Sequence, residues 1–334
     1  MTGQGGKMAC GAAGQRVVCA AMSTALFTHP ACLDHATPEG HPERAARLQA
    51  VLRALEAPEF AALSRHQAPL AAESELLRCH PQRYVDAIRE AIPEEGSVAL
   101  DADTHVSPSS HVATLAGLGQ VLGALDAVIA GQAGNAFAAT RPPGHHAETA
   151  RPMGFCLFGN VAIAAKRALD HHGLSRVAVV DFDVHHGNGT QDLLWDEARV
   201  LFASSQQMPL WPGSGAASER GAHDQLINMP LPPGADGARF RAAWEEQALP
   251  RLADFAPELV LVSAGFDAHL RDPLAQLALD EDDFAWITHR LCDLADAHAG
   301  GRLVSVMEGG YDLDALASSV AVHVRVLMER GRDV

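Results

Sequence analysis

The chain has 334 residues, 48% of them hydrophobic, with a formal net charge of −16 at pH 7. That is enough apolar material for a large core, and the acidic balance leaves no basic footprint for nucleic acid. Cysteines at 10, 19, 32, 79, 156 and 292 form no CxxC pair. This argues against a cysteine-rich zinc site or a disulfide framework and favours reduced thiols in a reducing, cytoplasmic setting.

Residues 1 to 21 read as a dispensable leader, with Met22 an alternative start. The run "VVCAAMSTALF" (17–27) is flanked only by Lys7 and Arg16 and lacks a clear cleavage site, so it reads as partly a first strand rather than a signal peptide. Further strands are expected at "NAFAAT" (135–140), "VAVVDFD" (177–183), "VLFASS" (200–205), "LVLVSAG" (259–265) and "RLVSVME" (302–308), with helices over 159–171, 238–254 and 281–298. No apolar run is read as approaching the ~20 residues of a membrane span. Continuous rather than alternating apolar strands imply an α/β fold, a mostly parallel sheet covered by helices on both faces. With no repeat or long linker, residues 22–334 are expected to form a single domain.

In such sheets ligands bind beyond the carboxyl ends of the strands. Four expected strand ends carry reactive groups there: "RPPGHH", "DFDVHHGNG", "GFDAH" and "EGGYD". Asp183 and His185, two apart in extended chain, leave on the same side. With Asp267 from another strand end they make a two-carboxylate, one-imidazole set that leaves a coordination place open for water or substrate. The set suits Zn²⁺, with Fe²⁺ or Co²⁺ also compatible. His145 and His146 follow a stiff Pro142–Pro143 pair, and imidazoles fixed near an activated water suit general acid–base work. Tyr311, after Gly309 and Gly310, is placed to donate to a developing oxyanion. A second pair, His171 and His172, reads as cations at a helix end.

Seven ordered motifs, "HPER" (41–44), "RPPGHHAE" (141–148), "GFCLFGNVAIAA" (154–165), "DFDVHHGNGTQ" (181–191), "PGSG" (212–215), "SAGFDAHLRDPL" (263–274) and "EGGYDL" (308–313), cover nearly the whole chain. Together they resemble the zinc-dependent histone deacetylase superfamily, class II-like bacterial amidohydrolases and acetylpolyamine amidohydrolases included. The resemblance implies the arginase/deacetylase fold, a central parallel sheet of about eight strands, and one zinc ion per chain on Asp183, His185 and Asp267. It implies His146 as general base and acid, His145 as its electrostatic partner, Asp181 and Asn188 as the groups behind them, and Tyr311 polarising the scissile carbonyl. Because Asn188 stands where some members carry Asp, His146 is expected to be less basic than theirs. A structural K⁺ is implied near Asp181, Asp183, His185, Ser204 and Ser205.

The acyl-lysine tunnel is implied to run past Gly154, Phe155 and Trp211, the last in a place where phenylalanine is usual. Leu274 stands where polyamine-selective members carry an acidic gatekeeper, which tilts the expectation to acyl-lysine peptides or small acylated amines. Asp101 and Asp103 are expected at the rim. Acetylpolyamine deacetylation, an arginase-like two-manganese ureohydrolase and a catalytically silent acyl-group binder are the alternatives. A homo-oligomer is compatible with the sequence; a membrane or nucleic-acid partner is not expected.

Overall fold

A computed structural model describes residues 23–331; the expected leader and the alternative start at Met22 lie outside these residues. Eight strands form the main sheet: β1 (Thr24–Phe27), β2 (Ser64–His66), β3 (Asn135–Ala138), β4 (Val177–Asp181), β5 (Val200–Gln207), β6 (Leu226–Leu231), β7 (Leu259–Ala264) and β8 (Leu303–Met307). Their order is β2-β1-β3-β8-β7-β4-β5-β6, and every neighbouring pair is parallel.

This order explains why the four motif-bearing strand ends meet. β3, β8, β7 and β4 are consecutive in the sheet although their paired positions lie 168, 43 and 82 residues apart in sequence, as the register pairs Ser305 with Phe137, Leu303 with Val260 and Asp181 with Ser263. Each parallel crossover returns the chain to the same edge, so all four carboxyl ends open on one side.

Helices cover both faces because both faces of the strands are apolar. Along β4, Ala178 and Val180 enter one core with residues of the helices Ala45–Ala54, Glu281–His298 and Leu313–Arg330. Val177 and Val179 enter the other, with Ser110–Ile129 and Asn160–Asp170. The Ser110–Ile129 helix revises the expectation that no apolar run is long enough to span a membrane: it has 20 residues and a mean hydropathy of 1.7 in its best window. Its apolarity is explained by position, since 78% of that window is buried against the sheet and its neighbours. The expected helix over 238–254 is a continuous run from Gly237 to Phe255 with a π-turn at Trp244–Ala248. A short antiparallel hairpin, Val98–Ala99 with His105–Val106, carries Asp101 and Asp103 in its turn.

Candidate active site

The strand ends hold a dense set of buried ionisable groups. Asp183 and Asp267 are essentially inaccessible, and His185 is 9% exposed. Nδ1 of His185 lies 3.2 Å from Asp183 Oδ1 and 3.1 Å from Asp267 Oδ2. One ligand atom from each of the three falls within 4.8 Å of the others. Backbone amides set the carboxylates: Gly309 N–H donates to Asp183 Oδ2 at 2.8 Å and Val184 N–H to Asp267 Oδ1 at 2.8 Å. A Cβ on Gly265 or Gly309 would collide with these carboxylates, so the backbone approaches the cluster as closely as glycine permits.

The donor set fits a divalent ion. Two buried carboxylates and an imidazole presenting Nδ1 to both are what an N/O-ligated metal needs, and the backbone bonds act as its outer support. Burial opposes protonation of His185, yet its bonds to Asp183 and Asp267 outweigh that and raise its pKa to about 10 in the metal-free protein. Burial and the neighbouring Asp183 likewise push Asp267 up. A cation would relieve both perturbations. Gly309→Ala is therefore expected to weaken metal binding roughly 10–100-fold, the usual cost of disturbing such outer contacts. Titration of the metal-free protein against a chelating dye reads this directly.

Behind the triad the two histidines are held differently. Nδ1 of His145 donates to Asp181 Oδ2 at 2.9 Å. Burial works against a charge on this ring, but Asp183 and Asp181 prevail and raise its pKa well above the usual imidazole value. His146 Nδ1 lies 2.8 Å from Asn188 Oδ1, and Asn188 Nδ2 donates to Glu148 Oε1 at 2.8 Å. Because a carboxylate must face the amide nitrogen, Asn188 turns its oxygen to His146, which fixes the Nδ1–H tautomer and leaves the Nε2 lone pair free. Burial, then the neighbouring His145 and His185, lower the His146 pKa well below normal. With ring centroids 3.8 Å apart, the pair combines a cation with a neutral base.

Above this floor a cavity of about 330 Å³ is lined by His146, His185, Tyr311, Gly154, Phe155, Trp211, Leu274 and Asp103. Leu210, Ala102, His41, Pro42 and His105 complete its wall. Asp101 is not part of that lining; its Oδ1 accepts from the backbone of Asp103 and Thr104 and shapes the hairpin turn. Phe155 has φ +66, a left-handed conformation that costs a non-glycine residue about 1–3 kcal/mol. Its N–H bond to Thr104 Oγ1 at 3.0 Å and edge contacts with His41 and Tyr311 hold it there. Trp211 stands edge-on to His146 with centroids 4.7 Å apart. The indole has room because residue 154 lacks a side chain: a Cβ there would strike both His146 and Trp211.

Tyr311 keeps its proton, since burial and the carboxylates of Asp267 and Asp183 raise its pKa well above the phenol range despite Arg47. Its backbone N–H donates to Asp272 Oδ2 at 2.8 Å, and the other oxygen of Asp272 accepts from Leu274 N–H at 2.9 Å. The Arg47 guanidinium lies 4.8 Å over the Tyr311 ring and donates to the Gly310 carbonyl at 2.6 Å.

Asp181 and Ser204 are register partners across β4 and β5. Ser204 Oγ donates to Gln206 Oε1 at 3.0 Å, and Ser205 Oγ accepts from Trp244 Nε1 at 3.2 Å. His172 accompanies Asp126 at 2.7 Å just past the Asn160–Asp170 helix, away from the site, as expected of a pair at a helix end.

Several residues were given no role by the sequence. Glu43 and Arg47 are four apart in "HPERAAR", a helix-facing pair, and Glu43 also grips the buried Arg141 at the start of "RPPGHH". His186 donates from Nε2 to Gln191 Oε1 at 3.1 Å and accepts at Nδ1 from Ser214 Oγ at 2.9 Å, so it ties down the segment that carries Trp211. The adjacency of motifs was the available signal; the partners, separated by 98 residues in the case of Glu43 and Arg141, were not readable.

The sequence pattern that defines the histone deacetylase domain matches residues 41–327. The chain belongs to the histone deacetylase family. A histone deacetylase-like amidohydrolase of Pseudomonas aeruginosa is 40% identical over 286 residues, covering 84% of this chain and 74% of that protein. A human protein named polyamine deacetylase HDAC10 is 40% identical over 273 residues, 77% of this chain and 40% of its own length. The crystal structure of the HDA15 HD domain superposes with a TM-score of 0.88 at 32% identity, covering 93% of this chain and 89% of the other. Like these deacetylases, the chain is a hydrolase of the family, and its parallel eight-stranded sheet is the family fold.

Proposed function

We propose that the protein is a zinc-dependent amidohydrolase that removes acetyl or other short acyl groups from lysine side chains or small acylated amines. The observation that carries this is the convergence, at one cavity floor, of the Asp183–His185–Asp267 cluster with a neutral His146 and a protonated Tyr311. A single Zn²⁺ held by the triad would polarise the amide carbonyl and lower the pKa of water beside it, with Fe²⁺ or Co²⁺ able to take its place. His146 accepts the proton of the attacking water at Nε2 and returns it to the leaving nitrogen. Tyr311 donates to the carbonyl oxygen as negative charge develops there, and the charged His145 favours the same build-up. The amide C–N bond breaks, giving carboxylate and free amine.

Gly154, Phe155 and Trp211 would clasp the aliphatic arm, and Asp103 would meet its polar flank. K⁺ would sit beside Asp181 and Ser204, with carbonyls of Asp183, His185 and Ser205 completing its shell; the bond from Trp244 leaves the Ser205 side chain occupied. The cytoplasm is the setting we infer, with no nucleic-acid or membrane partner and a homo-oligomer compatible with the surface.

Leu274, 36% exposed at the cavity mouth, supports acyl-lysine or small acylated amines over acetylpolyamines, because it offers a distal ammonium nothing to pair with. Leu274→Glu is expected to shift the kcat/KM ratio about two- to fivefold towards acetylpolyamines, the worth of one partly exposed charge contact. A screen of acetyl-, longer acyl- and lactyl-lysine peptides beside acetylated polyamines, with hydroxamate inhibition and metal analysis, tests the proposal. No hydrolysis of any of them by the metal-loaded protein would refute it.

A further inference from the structure

Glu308 opens the "EGGYD" motif and carries no role in the chemistry above. Its side chain is completely buried. Oε2 accepts from Gly144 N–H at 2.7 Å and His145 N–H at 3.3 Å, and Oε1 accepts from Ser263 Oγ at 3.1 Å. Its main chain is fixed as well: the N–H donates to the Ala264 carbonyl at 2.9 Å, and its carbonyl accepts from Arg47 at 2.5 Å. The Gly144 peptide is therefore clamped between Glu308 and Asn160, whose backbone N would lie 2.7 Å from a Cβ at residue 144.

We propose that Glu308 is a positioning residue for the histidine pair: it sets the Gly144–His145 backbone by hydrogen bonding, and turnover depends on that acceptor geometry rather than on its charge. The inference rests on the role given to His146 above. His145 and His146 are adjacent, their rings touch, and each is tied to its own partner, Asp181 or Asn188. A shift of the Gly144 peptide would pull both rings off those partners. Misplacement by ~1 Å costs on the order of 10²-fold in rate even when the moved group is remote from the bond broken. The charge itself is weakly held, since burial pushes the Glu308 carboxyl up to about 7 against the opposing pull of His145, with Asp181 and Asp183 adding to the rise.

Two isosteric changes separate geometry from charge. In E308Q the amide oxygen still accepts from both backbone N–H groups, while the NH₂ donates to Ser263 Oγ, so every bond is kept and the charge is gone. E308D keeps the charge but is one methylene too short to reach Gly144. Measured on the metal-loaded protein with an acetyl-lysine peptide, E308D is expected to lose kcat roughly 10²-fold with little change in KM. E308Q is expected to recover most of that loss.

Activity in E308D with loss in E308Q, equal loss in both, or full activity in both would each overturn the proposal. H146A run alongside distinguishes the two claims: turnover retained there refutes the role of the histidine, whereas turnover lost there and retained in E308D refutes only the role of Glu308. Should E308D not fold, amide exchange at Gly144 and His145 in E308Q decides. Protection kept together with turnover supports the clamp; protection lost with turnover kept, or turnover lost, overturns it.

Discussion

His146→Ala should lower kcat on an acetyl-lysine substrate roughly 10²–10⁴-fold, the range lost with a positioned general base. The protein should remain folded, because His146 makes one side-chain bond, to Asn188, and stands at the cavity floor rather than in either core. Its partner decides the quality of the base. Asn188 orients the ring without adding charge, and burial with His145 and His185 nearby keeps Nε2 unprotonated at neutral pH. Tyr311→Phe should cost about 10²–10³-fold through loss of one donor to the oxyanion. Circular dichroism checks the fold and steady-state kinetics the loss; full turnover in either variant would remove that residue from the mechanism.

Asp267→Asn should abolish tight metal binding and lower turnover by more than 10²-fold, since a Lewis acid contributes several kcal/mol. Melting curves give a readout independent of turnover. Added metal should raise the melting temperature of the wild type, which binds it only when folded, and leave that of the variant unchanged.

The same cluster predicts a pH dependence. In the metal-free protein the pKa of His185 is raised to about 10. Its proton therefore stabilises that form fully below the unfolded value of ~6.5, a contribution lost as pH rises through about 10. A metal ion must displace this proton, so apparent affinity should climb about tenfold per pH unit between pH ~7 and ~10. Competition with a buffered chelator measures the slope, and a flat profile would contradict His185 as a ligand.

The sequence made the central strands visible because their apolar runs end abruptly in charged residues. β4 runs through Val177–Val180 into Asp181, and β7 through Leu259–Val262 towards Asp267. The edge strands were hidden. β2 has three residues, Ser64–His66, two of them exposed, and β6 contains Pro230, tolerable only because β6 lies at the sheet edge. The Ser110–Ile129 helix lacked a polar stripe to reveal its period, as it is buried nearly all round. Within the site, ligand-type residues announced themselves at strand ends. The buried frame of Glu43, Arg47, Arg141, Asp272 and Glu308 did not, because its bonds join segments from 39 to 263 residues apart, the Glu43–Arg47 and Asp272–Leu274 bonds excepted.

Asp272 holds both Leu274 and Tyr311 through their backbone N–H groups. Residue 274 can therefore exchange its side chain while the phenol stays where it is. On the function proposed above, the mouth and the chemistry would then be separable in evolution: substitutions at position 274 would alter which acylated amine enters while the backbone hold on Tyr311 stays in place.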